Sequence, residues 1–60
     1  MDDETRKQRT DLAYKIHNKY IERDEKILLA QPGQSIQQIV SEYEVIIKPL
    51  WDEFIKLNNQ

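Results

Sequence analysis

The stretch IQQIVSEYEVIIKPLWDEFIKL, residues 36–57, decides the fold of this 60-residue chain. Ile36, Ile39, Val40, Tyr43, Ile46, Ile47, Leu50, Phe54 and Leu57 recur there at steps of three and four, the repeat of one helix face. Pro49 interrupts the run and cannot donate a hydrogen bond to the carbonyl of Val45. The spacing predicts a helix over about 35–57 that is either kinked near 49 or split there, with Pro49 opening a new helix. Its stripe takes three of every seven positions, more than one facing helix usually covers. Trp51 and Ile55 widen the apolar area further.

Upstream, Gln31-Pro32-Gly33-Gln34 is the only place where Pro and Gly stand together, and it predicts a turn over 31–34. Ser35 with Gln38 three residues on has the pattern of a capping box for the second helix. Before the turn, Leu12, Ala13, Ile16 and Tyr20 predict a first helix over about 4–29, flanked by Tyr14 and Ile21. Asp2 and Asp3 suit its cap, and Glu4 suits the positive end of its dipole. Every residue from Glu22 to Lys26 is charged, so this section reads as solvated, with Arg23 and Asp24 near the stripe. Ile27, Leu28, Leu29 and Ala30 then restore the apolar face, and Asn58-Asn59-Gln60 reads as a frayed polar tail. The expected fold is all-α: residues 1–60 form one small domain, an antiparallel helical hairpin. Two such hairpins in a four-helix bundle would cover the broad stripe. A monomer whose piece after Pro49 folds back would cover it as well.

Size and composition narrow the possible functions. A chain this short buries only about 60% of the surface its unfolded form exposes, so its independent stability is marginal. With no cysteine and one histidine, a disulfide framework or a closed zinc site is not expected. Tight packing, self-association or a partner protein must supply the missing support. The net charge of −2 is too small to imply a polyionic partner. Its distribution is uneven, however. Between Thr5 and Tyr20, Arg6, Lys7, Arg9, Lys15 and Lys19 face only Asp11, whereas Glu42, Glu44, Asp52 and Glu53 outnumber Lys48 and Lys56 after Gln31. A basic first helix and an acidic second one attract each other by modest, screened terms. No run approaches the ~18 apolar residues of a membrane span, and the acidic start Met1-Asp2-Asp3-Glu4 lacks the apolar core of a secretory signal. The expectation is a cytoplasmic protein with no membrane partner.

Catalytic chemistry finds little to work with. His17 has Tyr20 and Ile21 at i+3 and i+4, and its nearest same-face carboxylate, Asp24, is two turns away, roughly 10 Å. Glu42 with Glu44, and Asp52 with Glu53, are spaced so that neither pair converges. Gly33 is the only glycine, so a phosphate-cradling loop is missing. The expectation is therefore no enzyme, no cofactor, no bound metal and no small-molecule substrate. Two surfaces remain. Arg6, Lys7 and Arg9 can contact nucleic-acid phosphates. Ile47, Leu50, Trp51, Phe54 and Ile55 form an aromatic-anchored patch suited to a protein interface.

Ser35 to Val45, followed by Leu50, resembles the first helix, turn and recognition-helix start of helix-turn-helix proteins. On that resemblance Ile39 and Val40 are the packed pair, Val45 follows the turn, and Leu50 is a core residue of the second helix. It covers about a third of the chain. Glu44 stands where the family usually has glycine, and Ile46 where a capping serine or threonine is common. The resemblance implies a DNA-binding transcriptional regulator reading the major groove with residues 47–54, a segment holding two acids and one lysine. The apolar stripe implies instead a protein–protein interaction module, a homodimer or a small regulator or antagonist docked on a larger protein. Small chains of this type are common among phage and bacterial regulators. A charge at Ile39 or Ile46 is expected to unfold or dissociate it.

Overall fold

The computed structural model describes residues 2–59. Met1 and Gln60, the outermost residues of the acidic start and the polar tail, lie outside it. The described residues form two helices and no strand: α1, Asp3–Leu28, and α2, Ile36–Asn58. They pack side by side into a hairpin whose Cα envelope measures 49 × 15 × 9 Å.

Local chemistry accounts for each boundary. Asp2 caps α1, its carboxylate accepting the Thr5 amide at 2.7 Å, and this contact holds its pKa below the usual carboxylate value. Ser35 caps α2 by accepting the Gln38 amide at 3.2 Å. The reciprocal half of the capping box does not form, because the Gln38 side chain turns along the helix to donate to Glu42. Between the helices, the Gln34 amide donates to the Gln31 carbonyl at 3.0 Å, closing a turn with Pro32 and Gly33 in its central positions. Gly33 has φ +91°, the left-handed value that a type II turn requires at this position. A Cβ there would touch nothing within 4 Å, so the requirement is conformational rather than spatial.

Helix α2 runs unbroken through Pro49. This removes the split-helix alternative and the three-segment monomer built on it. It also removes the geometry implied by the helix-turn-helix resemblance. That motif needs a turn near Glu44, and residues 42–46 are continuous helix. The physical reason is local: glutamate does not readily adopt the left-handed backbone that glycine supplies in such turns. Pro49 is exposed, as is Val45, so water can reach the carbonyl that the proline leaves without a donor.

The buried seam holds Leu12, Ile16, Ile39, Tyr43 and Ile47; the last four form one cluster, with Tyr20, Ile27, Ala30, Leu50 and Phe54 partly covered against it. Leu28 and Leu29 depart from expectation and are about four-fifths exposed.

Candidate functional site

A flat pair of helices has two faces, and here they differ in chemistry. Successive residues rotate by about 100° around a helix. The seam therefore fixes which side chains project above the hairpin and which project below.

On one side, α1 presents Asp11, Lys15, Lys19, Glu22 and Lys26, and α2 presents Glu42, Ile46 and Glu53. Polar groups close this side over the seam. The Tyr43 hydroxyl donates to Glu22 at 3.4 Å, and the Lys26 ammonium lies 5.2 Å from the centre of the Tyr43 ring. The tyrosine holds the Lys26 pKa above its usual value. A shallow groove between the helices is edged by Gln8, Asp11, Lys15 and Glu53. We call this the closed face.

The opposite side carries Ala13, His17 and Tyr20 from α1, with Val40, Glu44, Trp51 and Ile55 from α2. Two grooves open on it. Tyr20, Val40, Ile47 and Trp51 line one, with Arg23, Glu44 and Lys48 at its rim. Ala13, Tyr14, His17 and Phe54 line the other, with Arg9 and Thr10. Trp51 anchors this open face. Its indole N–H donates to the Tyr20 hydroxyl at 3.0 Å, and its ring meets Phe54 edge-on with centroids 5.8 Å apart. These contacts fix the ring while leaving Trp51 40% and Ile55 52% exposed. Arg23 stacks over Tyr20, 4.8 Å from the ring centre, and pairs with Asp24 at 2.9 Å. It is half-buried and Asp24 is exposed, so the charged section of α1 stays helical by keeping its acid in water. Around the edge of α1 the open face continues through Tyr14, Ile21 and Leu28, all exposed.

Of the patch expected from sequence, Trp51 and Ile55 lie on the open face. Ile47 is core, only 4% exposed, and reaches the open face only in the floor of the Trp51 groove. Leu50 and Phe54 are half-buried, Phe54 forming a groove wall. Ala13, Tyr14, His17, Tyr20, Ile21 and Val40 complete the surface and were not in the expected patch. The spacing of Tyr14, Ile21 and Leu28, seven apart, was the available clue.

Arg6 and Lys7 are exposed, whereas Arg9 is half-buried and donates to the Asn58 side chain at 3.1 Å. Asp3, Glu4 and Asp11 flank Lys7 along about two turns of α1. His17 sits among Ala13, Tyr14 and Phe54, with no carboxylate lining its groove. Among the described residues, no three His, Cys, Asp or Glu side chains converge on a point where a metal ion could sit, and no helix is long and apolar enough to cross a membrane. No family model, curated protein or solved structure matches the chain.

Proposed function

We propose that this chain is a non-enzymatic protein–protein interaction module of the cytoplasm that works through its open face. It acts as a homodimer or as a small regulator docked on a larger protein. One observation carries the reading. The seam leaves Trp51 and Ile55 uncovered on the open face and Tyr14 and Ile21 uncovered along the edge of α1 beside it, while charged side chains bridge the seam on the other face. Stable domains pack at least two layers around a core, and this hairpin is one layer. A rigidly held tryptophan beside a groove is also the kind of group that dominates binding energy when a partner excludes water from it.

The test compares Ile55→Asp on the open face with Glu53→Lys on the closed face. Self-association is read by sedimentation, and association with other proteins by affinity capture from the native host. Ile55→Asp should abolish association, and Glu53→Lys should leave it intact. Association that survives Ile55→Asp would overturn the assignment of this face.

A further inference from the structure

We infer that the occupant of the open face is a second copy of this chain, laid end over end, so that the start of α1 in each protomer meets the end of α1 in the other. The inference rests on the reading of the open face given above and adds the partner and its orientation.

Charge gives the orientation. Arg6 and Arg9 lie toward the open face at the end where α1 starts and α2 finishes, a position fixed by the Arg9–Asn58 hydrogen bond. Asp24 and Glu44 lie toward it at the opposite end, where Arg23 pairs with Asp24 and shares a groove with Glu44. Arg23 is taken up by Asp24, and Lys48 on the same rim is taken up by Asp52 at 3.2 Å, which leaves the charge of Glu44 uncompensated at that end. A two-fold axis in the interface and across the helices sets each basic end on the partner's acidic end. A two-fold axis along the helices would set like on like.

Spacing and area support the same partner. The open side of α1 repeats in steps of four and three through Arg6, Thr10, Ala13, His17, Tyr20 and Asp24. That is the seam periodicity by which one helix packs along another. In the end-over-end arrangement, the partner helix on this seam is α1 itself, running antiparallel. An envelope 49 Å long and 15 Å wide offers a face on the order of 700 Å², close to the ~800 Å² each partner contributes to a standard interface. Two hairpins so arranged supply the missing second layer as a four-helix bundle.

The experiment is sedimentation equilibrium of the full chain across the micromolar range, with three variants. Arg6→Glu with Arg9→Glu reverses the basic end, Asp24→Arg with Glu44→Arg reverses the acidic end, and the third variant carries all four changes at unchanged net charge. Each reversal alone should weaken the dimer about tenfold or more, and the fourfold variant should recover it. Should a reversal lose helicity, Arg6→Gln and Asp24→Asn carry the same test, each weakening the dimer about twofold. A dimer unmoved by the single reversals, or further weakened in the fourfold variant, would overturn the orientation. A wild-type chain that stays monomeric would overturn the second-copy inference alone, because capture of another protein through Ile55 would still uphold the open face. A dimer that persists in Ile55→Asp would overturn both.

Discussion

The two faces of the hairpin are built from the same two helices and the same seam, yet only one is bridged by charged side chains. On the closed face long charged side chains reach across the seam, and Glu22 and Lys26 both come to Tyr43. Their stems cover apolar surface while their heads stay in water. On the open face Ala13, His17 and Tyr20 stand at the corresponding positions, and even with Arg23 stacked over Tyr20 they leave Trp51 and Ile55 about half uncovered. A single hairpin can thus be bridged by charge on one side and leave apolar groups uncovered on the other. The difference is made by side-chain length and charge at about seven positions, not by the backbone.

The comparison breaks first if the seam itself is misplaced. Ile39→Asp puts an unpaired charge where the side chain is 6% exposed, a loss on the order of 4 kcal/mol. Both faces depend on that seam, so the helical circular dichroism signal should collapse. A variant that stayed helical would show that the buried line runs elsewhere. Pro49→Ala sharpens the contrast from the solvent side. The helix is continuous there, so alanine restores a donor for the Val45 carbonyl and should stabilise the fold by about 1–3 kcal/mol, seen as a higher melting temperature. A lower melting temperature would mean that the proline ring itself holds α2 in shape. The smallest effect is expected at Ile46→Asp. Periodicity alone ranked Ile46 with Ile39, but it stands on the closed face and is 45% exposed. The change should lower the folding stability, read from thermal melts, by about 0.5 kcal/mol or less and leave association intact. Unfolding by this substitution would erase the distinction between the faces.

That last case shows what the sequence could and could not convey. Both helices, both caps and the turn were legible because each rests on a local cause: 3.6-residue periodicity, an Asp or Ser oxygen before a free amide, and a Pro-Gly pair at a turn's centre. The continuity of α2 was not legible, since a proline is compatible with either a kink or a restart until packing decides. The candidate surface was half legible. In α2 the apolar residues from Ile46 round to Trp51 span roughly half the circumference, so periodicity could not say which part faces α1. Only the rotation of each helix about its own axis places Ile47 inside and Trp51 at the rim. The first helix hid its share more thoroughly, because Tyr14, Ile21 and Leu28 form a second stripe interleaved with charges.

Trp51 is the sole tryptophan, and its indole N–H is held by Tyr20 beside a groove that any occupant of the open face must cross. The chain therefore carries a built-in optical probe at the place where its activity is proposed to lie. Emission from that one fluorophore should move to shorter wavelength as the groove fills, and iodide quenching should fall with it. Occupancy can then be titrated on unlabelled protein, whatever the identity of the molecule that arrives.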